Sequence, residues 1–256
     1  MNTSKKSLRL IVFTVTILAV MIMPLAAGAS HSWGNYHWAR TANPFTIKVI
    51  DSMTADWDDN LDVAIADWNS SSIMNVVEEA GSDASNTRKR CAAVTGKVRA
   101  CNAAYGNNGW LGLAQIWASG NHITQGTAKM NDTYLASSSY TETNRQHVIC
   151  QEIGHDWGLA HQDESGADLN TCMDYSNALD NPHPNAHDYD QLVTIYTHLD
   201  STTTIAGPAP AGFANANVHA QANWGTKVAE SADGRTALFV RDFGNGFKIF
   251  TFVIWA

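Results

Sequence analysis

The chain has 256 residues, 45% of them apolar, with 16 basic and 24 acidic side chains and a formal charge of −8. That apolar content excludes wholesale disorder, and the acidic balance excludes a binder of nucleic-acid phosphates. Four cysteines are too few for a disulfide-built scaffold but enough for two bridges in an exported protein.

Lys5, Lys6 and Arg9 open the chain, an apolar run from Leu10 to Leu25 follows, and Ala27-Gly28-Ala29 offers a small-x-small cleavage site. This is the layout of a secretory signal peptide over 1–29, with cleavage expected after Ala29. The rival reading is a retained anchor, but a run of about 16 residues holding Pro24 is short for the ~20 a span needs. The segment carries three basic residues and no acidic ones, so its removal takes the charge to −11 and leaves all ten histidines in 227 residues. The mature protein is expected to be secreted, into an oxidising compartment, with no stable membrane insertion after cleavage.

Phe45, Ile47 and Val49 alternate with polar residues and predict a strand. Trp57, Leu61, Ala64, Ile65 and Trp68 repeat at helical spacing and predict an amphipathic helix over 54–69. A second strand is expected from Ile73 to Val77 and a polar loop over 81–92. Three short strands follow, at Val98 to Asn102, Trp110 to Trp117 and Thr127 to Asn131, separated by Asn-Gly and Ser-Gly-Asn turn chemistry. Residues 143–157 predict a helix stopped by Gly158. Tyr189, Leu192, Ile195, Tyr196 and Leu199 mark another, opened near Asn185. Residues 201–217 are rich in Thr, Ala, Gly and Pro and read as a linker. Two strands, Ala237 to Arg241 and Phe247 to Trp255, are expected in a small β-rich tail over 218–256. The fold class is α+β, with a principal domain over 30–200.

The chemistry concentrates in Gln151-Glu152-Ile153-Gly154-His155-Asp156-Trp157-Gly158-Leu159-Ala160-His161. On a helix, positions 151 and 155 lie about 40° and about 6 Å apart and share a face, with Glu152 beside them. A left-handed Gly158 would turn the chain and return His161 towards the same point. Three donors with a carboxylate beside them suit a catalytic zinc, which takes three protein ligands and keeps a position open for water.

This segment resembles HExxHxxGxxH, the zinc signature of the metzincin metallopeptidases. Thr171-Cys172-Met173-Asp174-Tyr175 is similar to their Met-turn, with Met173 beneath the metal. The matrixin branch is nearest: Tyr36-His37-Trp38 and Pro44-Phe45-Thr46 resemble the start of such a domain, and 187–199 resembles its closing helix. The likeness covers roughly 36–200. It implies a twisted mixed sheet with an active-site helix, a Met-turn and a C-terminal helix. It also implies zinc as cofactor, Glu152 as general base, and His155 and His161 as ligands. A strand before the zinc helix, here Thr127 to Asn131 or Trp110 to Trp117, would form the cleft's upper wall and take a polypeptide substrate in extended form.

Two positions depart from that pattern. Gln151 stands where the first histidine is expected, and Asp156 replaces a small or apolar residue. Gln151 could ligate through Oε1, or another group, Tyr175 before His147, could substitute, or the metal site is lost. The other histidines are assigned no chemistry. Of three cysteine pairings, Cys91–Cys101 and Cys150–Cys172 are favoured, the second tying the active-site helix to the Met-turn. Asn131-Asp132 and Asp180-Asn181 are candidate calcium ligands. The expected function is a secreted zinc metalloendopeptidase, and the alternative is a catalytically inactive metzincin-like binding module.

Overall fold

The computed structural model describes residues 31–163, 166–175, 178–206, 216 and 218–256. The expected signal peptide, 1–29, and most of the expected linker, 201–217, lie outside these residues. The strands are β1 (His37–Trp38), β2 (Phe45–Ser52), β3 (Met74–Ala80), β4 (Val98–Ala103), β5 (Trp110–Ser119), β6 (His122–Asn131), β7 (Thr226–Glu230), β8 (Thr236–Gly244) and β9 (Phe247–Trp255). The helices are α1 (Asp58–Trp68), α2 (Ser85–Arg90), α3 (Asp132–Leu135), α4 (Glu142–Asp156) and α5 (Ala186–Ile195).

All nine strands belong to one mixed sheet in the order β3-β2-β4-β6-β5-β9-β8-β7, with β1 pairing the head of β6. The class is α+β, as expected. Strands β2, β3, β4 and β6 run parallel, and β5, β9, β8 and β7 then alternate in direction. In β2, Phe45, Ile47 and Val49 are buried while Thr46 and Lys48 are exposed, as the alternation predicts. Helix α1 buries Leu61, Ala64 and Trp68 and, with α4 and α5, closes the main core on one face of the sheet. The opposite face carries two smaller clusters built by the tail. Trp224, Phe239 and Val253 pack on Trp110 and Leu113, and Val218 and Ile249 pack on Trp117.

The departures from expectation have local causes. Residues 81–92 are not all loop: α2 forms there with no buried side chain, so no apolar period marks it. Strand β6 begins at His122 because Thr124 and Gln125, polar by composition, are buried. Helix α5 ends at Ile195, short of 199, and Leu199 is 55% exposed. Strand β7 is a largely exposed edge, without the alternation that would reveal it.

Neither strand proposed as the cleft's upper wall has a free edge. β6 lies between β4 and β5, and β5 is paired along its whole length by β9, from Trp110↔Trp255 to Ser119↔Phe247. The tail extends the sheet at the position where an added strand would dock. Both favoured disulfides, Cys91–Cys101 and Cys150–Cys172, are present. Bridges of this kind belong to a non-cytoplasmic compartment. Among the described residues no helix is long and apolar enough to cross a membrane.

Candidate metal centre and its cover

Thr141 caps α4 in a reciprocal capping box with Asn144. From Gln146 to Asp156 every residue of the helix is buried. A helix whose buried stretch includes Gln, Glu, His and Asp departs from the usual rule that such side chains face water. Burial without partners is costly for polar groups, so the orphaned atoms here point to a site.

Gly158 adopts φ +93°, where a side chain would strike the Tyr36 carbonyl, and the chain turns back. His155 and His161 then lie with ring centroids 4.7 Å apart. His155 Nδ1–H donates to the Leu159 carbonyl at 2.8 Å, which fixes the tautomer and leaves Nε2 with its lone pair. His161 Nε2 is buried and has no hydrogen-bond partner among the described residues. Burial holds both imidazoles neutral, His155 down to about 3 and His161 well below its ordinary value.

Gln151 is oriented from its nitrogen side. Its Nε2 donates to the Cys172 carbonyl at 2.7 Å and the Asp174 carbonyl at 3.2 Å, while Oε1 is buried without a partner. Two carbonyls of the 171–175 segment, expected to be a Met-turn, thus leave the amide oxygen free to act as a donor. That segment is itself anchored. Thr171 Oγ1 accepts from Met173 N at 3.0 Å and donates to Asp188 on α5, and Met173 Sδ packs against Gly154. The Cys150–Cys172 bridge ties the same segment to the helix one residue before Gln151.

Glu152 is fully buried and, among the described residues, neither carboxylate oxygen has a hydrogen-bond partner. Burial raises its pKa well above the carboxylate range, and nearby Asp156 adds to the shift. Gly112 on β5 makes room for it: a Cβ there would fall 2.5 Å from Glu152 Oε1 and from Val148 Cγ1. Asp156, also raised well above its usual value by burial, lies against Gly126 of β6, and its carbonyl accepts from Trp38 Nε1 at 2.8 Å.

Phe252 of β9, opposite Ala114 in register, stacks on His155 with centroids 3.9 Å apart and planes 11° apart. Its neighbours on the same face, Phe250 and Ile254, also join the main core, whereas Ile249 and Val253 face the other way. The β9 inner face therefore lies over the candidate centre. Tyr175 stacks on His161 at 4.0 Å, so it is within the site, through its ring. His147, buried, lines a cavity with Gln151, Ile254 and Trp255.

Three of the candidate calcium residues, Asn131, Asp132 and Asn181, make hydrogen bonds within the chain. Asn131 caps α3 and holds the 105–110 loop, and the Asp132 carboxylate accepts from Trp57 Nε1 at 3.0 Å and Asn102 Nδ2 at 2.6 Å. Asn181 Nδ2 donates to Asp168 at 2.6 Å. Phe252 and Gly112 are the site residues that sequence reasoning missed. Alternation in 247–255 is visible, but which strand it joins is a long-range fact. No protein-family model and no curated protein matches the chain.

Proposed function

We propose that the chain is a secreted zinc-dependent endopeptidase of metzincin-like architecture, held latent in this conformation by its own C-terminal strand. The single observation that supports the reading is the orphaned state of the donors: among the described residues Gln151 Oε1 and His161 Nε2 are buried without a hydrogen-bond partner, and His155, whose ring lies 4.7 Å from that of His161, has only Nδ1 committed. Two neutral imidazoles and an amide oxygen would hold zinc with a position left for water. The amide is the weakest donor of the three.

Zinc, when bound, supplies a Lewis acid that lowers the pKa of water and polarises a carbonyl. The chain's own part is proton transfer and placement. Glu152 takes a proton from the attacking water at a carboxylate oxygen and delivers it to the leaving amide nitrogen. Desolvation makes it a stronger base than an exposed carboxylate. Gly112 keeps β5 close enough to the helix for a substrate backbone on β5 to pass over Glu152. Pairing to β5 through main-chain hydrogen bonds favours an extended polypeptide of broad sequence. β9 fills that place, with Phe252 over His155.

The inactive-module alternative retains the fold and predicts no chemistry. Peptide-library cleavage by the zinc-loaded mature chain after the β8–β9 turn has been severed to release β9, against Glu152→Ala, separates the two. Turnover that depends on Glu152 supports the enzyme, and zinc-independent, Glu152-independent silence supports the module.

A further inference from the structure

A second group of metal-ligating side chains lies apart from α4, where the first strand, the head of β6 and the segment after α5 meet. His37 and His122 are aligned by the β1–β6 register. His37 Nε2 and His122 Nε2 each lie 3.3 Å from Asp200 Oδ1, and His198 Nε2 lies 3.8 Å from the same oxygen. His198 Nε2 is 3.1 Å from His37 Nε2. Four donor atoms at the corners of a tetrahedron around zinc, with bonds of 2.0–2.1 Å, would be about 3.3–3.4 Å apart. The His37 and His122 separations from Asp200 match that edge, and the donor atoms of His37, His122 and Asp200 all lie within 4.8 Å of one another, with His198 beside this group rather than in it.

His37 Nδ1 is engaged by the Asn35 carbonyl at 2.8 Å, which turns Nε2 towards Asp200 Oδ1. A cation seated among Nε2 of His37, Nε2 of His122 and Oδ1 of Asp200 would be coordinated by all three. The surrounding contacts are those that orient ligands. Asp200 Oδ2 accepts from Arg40 N at 3.2 Å and Nη1 at 2.9 Å, leaving Oδ1 to face the imidazoles. Arg40 is fixed in turn by the Tyr196 and His198 carbonyls.

We propose that His37, His122 and Asp200 bind a second zinc ion, with His198 beside them, and that this ion clips the N-terminal strand to the chain leaving α5.

The test is zinc retained per chain after the mature protein is incubated with zinc chloride and gel-filtered, for wild type and for His122→Ala/His198→Ala. Both histidines are surface-accessible, with side chains 37% and 46% exposed, so the variant should fold, and circular dichroism checks this. The expected result is one zinc fewer per chain in the variant, whatever the α4 centre holds, and a zinc-induced rise in Tm that the variant loses or reduces. The single variant His122→Ala, should the double fail to fold, is expected to weaken retention at least tenfold. Cobalt in place of zinc should give the intense visible absorption of four-coordinate cobalt, diminished in either variant. Equal zinc content in wild type and variant, or a wild type that retains none, would overturn the proposal.

Discussion

Gln151 differs from a histidine in how it is held as much as in what it donates. A histidine at 151 could keep one Met-turn carbonyl through Nδ1–H and offer Nε2, a better zinc donor than an amide oxygen. Gln151→His is therefore expected to tighten zinc binding at this centre, and Gln151→Ala to weaken it by more than about tenfold, read by competition with a chromophoric chelator. Unchanged affinity in Gln151→Ala would remove the amide from the ligand set. At Glu152 the reading is kinetic. Glu152→Gln should retain zinc and lose about 10²–10⁴ in kcat, the usual contribution of a positioned base. Gly112→Ala probes the same carboxylate from the strand side. A Cβ 2.5 Å from Glu152 Oε1 and Val148 Cγ1 must displace one of them. The expected loss is about 1–3 kcal/mol of stability, from denaturant midpoints, together with reduced turnover. The helical spacing made His155, His161 and Glu152 legible as a group, because 3.6 residues per turn and one glycine place them. The orphaned state of Gln151 Oε1 was not legible, since it depends on carbonyls 21 and 23 residues away.

The elements that frame the site are a helix, a turn and a borrowed strand. The Cys150–Cys172 bridge closes the Met-turn segment onto α4. Its loss as Cys150→Ala/Cys172→Ala is expected to cost about 3 kcal/mol, measured by chemical unfolding, and to broaden or weaken metal binding as Gln151 loses its anchoring carbonyl. Strand β9 makes the more specific prediction. The β8–β9 turn at Gly244-Asn245-Gly246 has three left-handed residues. A specific protease site inserted there allows β9 to be severed after folding. Nicking and dilution should raise Glu152-dependent cleavage, and a synthetic peptide spanning 247–256 should restore latency. No change on nicking would mean that β9 does not govern access. The strands of the tail were legible from alternation and a Gly-Asn-Gly turn. Their destination was not, because β5↔β9 pairing joins segments more than 125 residues apart. Helix α2 and strand β7 escaped for the opposite reason: both are largely exposed and carry no burial pattern.

Across the whole molecule, one nine-stranded sheet supports the candidate centre from β5 and β6 and covers it from β9. The linker-and-tail reading of the composition captured the change in sequence character but not this continuity. Buried histidines give the molecule a pH dependence. His31 and His147 are held neutral mainly by burial, each down to about 4. Between about pH 6.5 and 4 the unfolded chain binds these protons and the folded chain does not, so stability falls as pH falls through that window. Asp188, raised by burial to about 6, acts in the opposite sense, losing stability as pH rises from its ordinary value towards 6. The comparison is therefore made by difference: Tm of His147→Asn should fall less steeply than that of wild type from pH 6.5 to 4, and parallel curves would mean that His147 is not held neutral. The central claim is that this sheet and helix form a zinc endopeptidase screened by its own last strand. Its most direct measurement is hydrolysis of a quenched peptide library by the zinc-loaded, nicked mature chain beside its Glu152→Ala counterpart. The account predicts cleavage that Glu152→Ala and a chelator abolish; no Glu152-dependent cleavage from a nicked, folded, zinc-loaded chain would contradict it.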